Sequence, residues 1–311
     1  MFGFCNIATI PIRATASHRA EMVTQLLFGE AYRIVSYPQT AGWVEILTQY
    51  DDYKGFMDVN QIVLIHESSY EQYVANRFHV SSAQMTIFDK KRGFFFPISA
   101  GSTLLLNKKN EMRLGAEWFE IASDTAPNSS KEGEHALPFG EGWGGVQVRN
   151  DELGKSVRLT SAPLGNGYSL PKEQRSLSGV EVSPNETILK TIAYSFLNMP
   201  YLWGGRSIYG IDCSGFTQVV FKIIGKKLPR DASQQALVGE KITSLTETQC
   251  GDLAFFQNKD GRITHTGLIL DKKTIIHASG KVRMDILDEQ GVFCVERNEY
   301  SHRLQAIRRV L

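Results

Sequence analysis

Three side chains far apart in the sequence, Cys213, His265 and His277, are of the types that nucleophilic acyl transfer requires. A thiolate attacks a carbonyl carbon, an imidazole holds or passes its proton, and a third polar group orients that imidazole. Cys213 follows Gly204-Gly205 and a turn, and apolar residues at 216, 219, 220, 223 and 224 recur directly after it at helical spacing. The pattern predicts a helix that begins at the thiol, with Asp212 or Ser214 as its cap. Unpaired N–H groups and the positive end of the helix dipole then face the sulfur, which predicts a thiol pKa lowered from about 8.5 into the range of roughly 3.5–7.5. A buried structural cysteine is the plain alternative. The histidines sit at the edges of two strand-like runs, His265 to Leu270 and Thr274 to His277, joined by Asp271-Lys272-Lys273. A tight hairpin there brings them onto neighbouring strands, within reach of each other. One strand histidine is more often structural; two on adjacent strands, downstream of a capped cysteine, reverse that preference.

The elements that must position these groups are legible as two kinds of chain. From Ser183 onward, Ser183-Pro184-Asn185-Glu186 offers a cap, a proline in the first turn and an acidic start, followed by apolar residues at helical spacing from Ile188 to Leu197. Strand-like runs come after the Cys213 helix, beginning with Leu253-Ala254-Phe255-Phe256. Helices first and strands after predict an α+β domain over residues 183–311. Residues 1–66 read instead as short strands separated by turns, a small β-barrel. Residues 67–182 read as a second barrel followed by a polar insertion and linker, in which 123–182 is a lid, an insertion or a plain connection.

Composition narrows the function classes. The 311 residues are 42% hydrophobic with a net charge of +1, enough for real cores and without the electrostatic footprint of a nucleic-acid or anionic-membrane binder. No apolar run approaches the ~20 residues that span a bilayer. Met1-Phe2-Gly3-Phe4-Cys5-Asn6 lacks a basic leader region, which reads as cytoplasmic unless a leader was trimmed. The four cysteines show no disulfide framework or zinc-ribbon spacing, and a site from Cys213, Cys250, His265 and His277 matches no compact zinc pattern. No metal or cofactor is expected. His18, His66, His79, His135 and His302 read as solvated and are assigned nothing.

Six motifs in order carry a resemblance: Pro-Tyr-Leu-Trp-Gly-Gly at 200–205, Asp-Cys-Ser-Gly-Phe at 212–216, Pro-Arg-Asp at 229–231, Gly-Asp-Leu-Ala-Phe-Phe at 251–256, His-Thr-Gly at 265–267 and Ile-His-Ala-Ser at 276–279. Together they resemble the NlpC/p-sixty cell-wall cysteine peptidases, over about residues 185–311. The resemblance implies a papain-like α+β catalytic domain in which Cys213 is nucleophile, His265 base and His277 orienting residue. It implies that Tyr201 lies near the scissile bond, where it and the Cys213 N–H serve the oxyanion, and that Asp212 and Ser214 contact the substrate. Bacterial SH3-type barrels ahead of such a domain resemble the γ-D-glutamyl-L-diamino acid endopeptidase branch, which acts on murein peptides carrying a free N-terminal L-Ala. That branch holds the substrate amine with residues whose matches here are Glu30, Tyr53 and Asp231. Ala232 departs from the pattern, where a serine is common.

Two rivals stand beside this expectation. An amidase or acyltransferase on the same scaffold uses Cys213 identically but needs no amine pocket. A non-catalytic murein-peptide-binding protein needs the barrels alone, and has no reason to keep a reactive thiolate.

Overall fold

The computed structural model describes residues 1–38, 40–75, 79–122 and 184–311. The first sheet comprises β1 (Phe2–Phe4), β2 (Thr9–Arg13), β3 (Met22–Leu27), β4 (Ala31–Ser36), β5 (Trp43–Thr48), β6 (Lys54–Asp58) and β7 (Leu64–Ile65), in the order β3-β2-β6-β5-β4-β1-β7. Strand side chains alternate between faces, so Ile10 with Ile12 and Val44 with Ile46 point into one core together with Met57. A helix that the sequence reading did not foresee, α1 (Glu67–Ala75), follows and packs Tyr73 against Phe4, ring centroids 4.8 Å apart.

The second all-β unit contains β8 (His79–Val80), β9 (Met85–Asp89), β10 (Phe94–Ile98), β11 (Thr103–Leu104), β12 (Glu111–Leu114) and β13 (Glu117–Ile121). Four of these form a sheet ordered β10-β9-β13-β12, and β8 pairs with β11. Phe4 and Phe28 of the first unit join Ile87, Ile98, Met112 and Phe119 in one cluster. The two units therefore share apolar burial, at about 1.5–3 kcal/mol for each large side chain removed from water. The polar stretch expected at 123–182 lies outside the described residues.

The C-terminal part begins with α2 (Pro184–Tyr194), the short pair β14 (Arg206–Ser207) and β15 (Gly210–Ile211), α3 (Cys213–Ile223) and α4 (Ala232–Gln235). Seven antiparallel strands follow: β16 (Glu240–Ile242), β17 (Leu253–Gln257), β18 (Ile263–Ile269), β19 (Thr274–Ser279), β20 (Lys281–Leu287), β21 (Gly291–Cys294) and β22 (Glu299–Arg309). Their order is β16-β22-β17-β18-β19-β20-β21, and β21 also pairs with β22, so six strands close on themselves. Helices do precede strands and pack on one face, but across the described residues strands predominate.

Both faces of this sheet are buried. Leu253 and Phe255 of β17 face the helices, where Phe216, Val220 and Ile223 of α3 meet Ile188 and Ile192 of α2. Ala254 and Phe256 face the other way, into a core with Ile269, Ile275, Leu287 and Val292. Every residue of α3 is buried, because its remaining side meets the N-terminal units: Gln218 Nε2 donates to Asp51 at 2.7 Å and Lys222 Nζ to the Gly101 carbonyl at 2.7 Å.

Candidate active site

Cys213 opens α3, and its thiol stands where the chain turns out of the Gly204-Gly205 loop. Asp212 caps the helix by accepting the Gly215 N–H at 2.6 Å, and its other oxygen accepts the Gly204 N–H at 2.9 Å. Gly204 adopts φ +75°, and a Cβ there would lie 2.1 Å from the Met22 carbonyl oxygen. Only glycine lets the loop turn this way while touching the first sheet. Arg230 grips the same cap, with Nη1 3.0 Å and Nη2 2.5 Å from the Asp212 oxygens and Nη1 2.9 Å from Ser214 Oγ.

The histidines meet in a way the sequence leaves open. Leu268 stands opposite Ile276 across β18 and β19; continued one step, that register places Gly267, not His265, opposite His277. A Cβ on Gly267 would fall 2.8 Å from the His277 Cβ. The missing side chain makes room for a diagonal contact, in which His265 Nε2 and His277 Nδ1 lie 2.8 Å apart. Cys213 lies against the same strand, near enough for the Thr266 N–H to favour its thiolate. Tyr201 is half-buried, and its phenol is held above its ordinary range by burial and then by the nearby Cys213.

Burial dominates the electrostatics. It pushes the Cys213 thiol up to about 12, with Asp212 adding to it, against the Thr266 N–H and Arg230. The direction is opposite to the lowering expected from the helix terminus, because desolvation outweighs the Thr266 and Ser214 N–H groups and Arg230. Burial likewise drives His265 well below its usual value, assisted by His302 and His277. Around neutral pH the Cys213 thiol and the His265 imidazole are therefore both uncharged.

The remaining expected residues divide. Tyr53, from β5–β6 of the first unit, donates to Asp231 Oδ1 at 3.2 Å, across the seam to the C-terminal part. Asp231 is half-buried and raised above the ordinary carboxylate value, by burial first. Among the described residues no salt bridge engages it. Glu30 is a correction. It is 2% exposed and accepts from Arg206 Nη1 at 2.9 Å, Lys222 Nζ at 2.5 Å and the Leu27 N–H at 2.9 Å. A carboxylate so enclosed has no room for a substrate ammonium. Asp212 and Ser214 stand beside the thiol, and their polar atoms engage Arg230 and the loop, which fixes the geometry of the helix start.

Three neighbours escaped the sequence reading. Asp285 Oδ2 lies 3.0 Å from His277 Nε2. His302, read as solvated, stacks on His265 with ring centroids 4.0 Å apart and planes at 21°. Trp203 Nε1 donates to Glu21 at 2.5 Å, another bond across the seam. Only strand parity could have pointed to Asp285, which shares the inward side of β20 with Leu287.

Nitrogens of His265, His277 and His302 lie within 4.8 Å of one another. A shared metal fits them poorly. Parallel stacked rings aim their in-plane lone pairs past a common point, and His265 and His277 point at each other. Cys250 stands beside Lys190, apart from this group, so the four-residue zinc set is not assembled.

Comparison with known proteins agrees with this geometry. Residues 198–295 match the NlpC/P60 family and residues 12–62 the bacterial dipeptidyl-peptidase Sh3 domain. Over 95 residues the chain is 43% identical to the gamma-D-glutamyl-L-lysine dipeptidyl-peptidase of Bacillus subtilis, covering 30% of this chain and 31% of that protein. It is 26% identical over 274 residues to dipeptidyl-peptidase 6 of Lysinibacillus sphaericus, covering 87% and 86%. An NlpC/P60 family protein from Bacillus cereus shares the fold over the full length of both chains, with a TM-score of 0.69 at 17% identity. The chain thus carries an NlpC/P60 domain and, ahead of it, a bacterial dipeptidyl-peptidase SH3 domain.

Proposed function

We propose that this protein is a papain-like cysteine peptidase that hydrolyses the γ-D-Glu–diamino acid amide of murein peptides bearing a free N-terminal L-Ala. Cys213 attacks the amide carbon as its proton passes to His265, and the C–S bond forms as the carbonyl π-bond opens. The N–H at the head of α3 and Tyr201, which lies near Cys213, would stabilise the oxyanion. Collapse expels the diamino acid amine with the His265 proton, and water then releases the thioacyl group by the same route.

The Tyr53–Asp231 contact carries the substrate reading. A half-buried carboxylate without a salt-bridge partner among the described residues, walled by a hydroxyl from another unit, suits an ammonium that must leave water. The names of the relatives in Bacillus subtilis and Lysinibacillus sphaericus support the same bond type. The barrel wall at this end also favours released peptides over long glycan-linked ones. Residues 1–66, 67–182 and 183–311 are proposed as the three working parts.

The test is cleavage of L-Ala-γ-D-Glu-meso-diaminopimelate and its N-acetylated form by wild type, Cys213→Ala and Asp231→Asn. Wild type should cut only the free-amine peptide, Cys213→Ala neither, and Asp231→Asn should lose most of the preference. Equal cutting of both peptides by wild type refutes the amine pocket and leaves a broader amidase or acyltransferase. No cutting of either favours a binding protein.

A further inference from the structure

We infer that Asp285 is a positioning residue whose carboxylate sets the tautomer of His277 and, through it, of His265, leaving an unprotonated Nδ1 on His265 to receive the Cys213 proton. The inference rests on the acyl-transfer roles of Cys213 and His265 proposed above.

The geometry is a diagonal ladder over three adjacent strands. His265 on β18 contacts His277 on β19, which is displaced toward the position opposite Gly267. Arg283 on β20 stands opposite His277, and Asp285 lies two residues further on. Side chains two residues off register still meet when they are long enough. The steps are 2.8 Å from His265 Nε2 to His277 Nδ1 and 3.0 Å from His277 Nε2 to Asp285 Oδ2. His277 is 0% exposed and Asp285 4%, so water does not compete for these bonds.

For a neutral His277, proton assignments then follow in one direction only. Asp285 is held as a carboxylate: Arg283 Nη2 donates to Oδ1 at 3.0 Å and Arg283 Nε lies 2.8 Å from Oδ2. Burial opposes its ionisation, but the bonds from His277 and Arg283 outweigh that and keep the carboxyl below its ordinary value. An ionised carboxylate only accepts, so His277 Nε2 carries the proton. A neutral imidazole has one such proton, which makes His277 Nδ1 the acceptor and His265 Nε2 the donor. His265 Nδ1 is then bare. The reverse assignment would set a lone pair of His277 against Asp285 and place a proton on the His265 nitrogen that must accept one.

Other groups around the ladder do not supply this bias. His302 on β22 stacks on the face of His265, and Phe256 on β17 lies 5.7 Å from it, centroid to centroid. Neither lies in the imidazole plane in a bond to Nε2. Arg283 is itself shared with Glu296 at 3.0 Å and with the Cys294 sulfur at 3.3 Å, which fixes it behind Asp285.

Nitrogen-15 spectra of the histidines in the whole protein test the assignment without any variant being required to fold. Both His265 and His277 should be Nε2–H tautomers in wild type at pH 8. Asp285→Ala should show mixed His277 tautomers. Its kcat on the free-amine peptide should fall about 10–100-fold with KM nearly unchanged, by analogy with the loss of groups that orient an active-site histidine. Alkylation of Cys213 by iodoacetamide should slow in parallel, and Asp285→Glu should restore part of each. A wild-type His277 protonated on Nδ1 overturns the inference, as does an Asp285→Ala protein with wild-type tautomers, kcat and alkylation rate. If wild type cuts no murein peptide while alkylation and tautomers respond as stated, the substrate reading fails and the role of Asp285 stands.

Discussion

The site works through side chains whose protonation is set by what surrounds them, and His265 shows it most clearly. Its pKa lies well below that of a free histidine because burial disfavours the imidazolium, with His302 and His277 adding to this. A base with a lowered pKa stays unprotonated as pH falls, so kcat/KM should hold through pH 6.5 and decline only below it. Replacing His302 by alanine should admit water to one face of the ring and raise that pKa toward its ordinary value. More of the base is then protonated at pH 6, and the ratio of activity at pH 6 to that at pH 8 should drop. A profile that does not move would deny His302 this role. At the contact with Asp231, Tyr53→Phe should weaken free-amine peptide binding several-fold in KM while leaving kcat within about two-fold; a loss confined to kcat would place Tyr53 at the chemistry instead. That a helix starts at Cys213 and that His265 and His277 meet was legible in the sequence, from the cap residues and the hairpin spacing. Asp285 was not, since an aspartate in a strand carries no signal until register puts it beside a histidine. Glu30 was misread for a related reason. Its matching position says nothing about which charges the fold brings to it, and Arg206 and Lys222 arrive from about 180 residues away.

At the scale of elements, α3 links the chemistry to the barrel. Its first residue is the proposed nucleophile, Cys213, and its last turn carries Lys222, whose ammonium reaches Glu30 at 2.5 Å. Arg206 and Lys222 close on one carboxylate, and Tyr50 lies under both cations, 5.7 and 5.0 Å from its ring centroid. Glu30 is held down at about 2: burial opposes ionisation, but Arg206 and then Lys222 overcome it. A carboxyl depressed on folding stabilises fully above its unfolded value and loses that contribution as pH falls from about 4.5 toward 2. Glu30→Gln removes the carboxylate that pairs directly with both buried cations and leaves them Asp51 as a more distant counter-charge, so it should cost about 3–5 kcal/mol in urea unfolding at pH 7. The penalty should shrink as pH drops below 4. The selectivity ratio between free-amine and acetylated peptides should be unchanged in whatever fraction stays folded; a lost ratio with intact stability would return Glu30 to the amine pocket. Periodicity showed α3 and the hairpin in the sequence. It did not show α1, whose Glu-Ser-Ser-Tyr-Glu-Gln-Tyr-Val-Ala has too few apolar residues for a clear stripe, nor the closure of β21 onto β22, which depends on long-range pairing.

On the scale of the whole molecule, the NlpC/P60 domain is built to be completed by the units before it. Arg206 is 1% exposed, Lys222 3% and Arg230 2%, yet their partners include Glu30 and the Gln25 carbonyl, the Gly101 carbonyl and Thr103, and Thr24 respectively. Leu27 and Ala100 belong to the same apolar cluster as Phe216 and Val219. Charges buried at a seam lose their counter-charges when one side is removed, and the apolar surface of α3 is returned to water at about 25 cal/mol per Å². Residues 184–311 expressed alone should therefore melt well below the full chain and bind a hydrophobic dye. Cys213 should react faster with iodoacetamide in that fragment, because the burial that raises its pKa is partly relieved. Adding Lys222→Met to the fragment should recover part of the lost stability, since it removes a charge whose partner is gone; in the full chain the same change should destabilise by leaving Glu30 to Arg206 alone. That reversal of sign is the decisive reading. If Lys222→Met lowers the melting temperature equally in both contexts, the seam contributes nothing to the stability of the catalytic part, and the barrels serve only to shape the cleft.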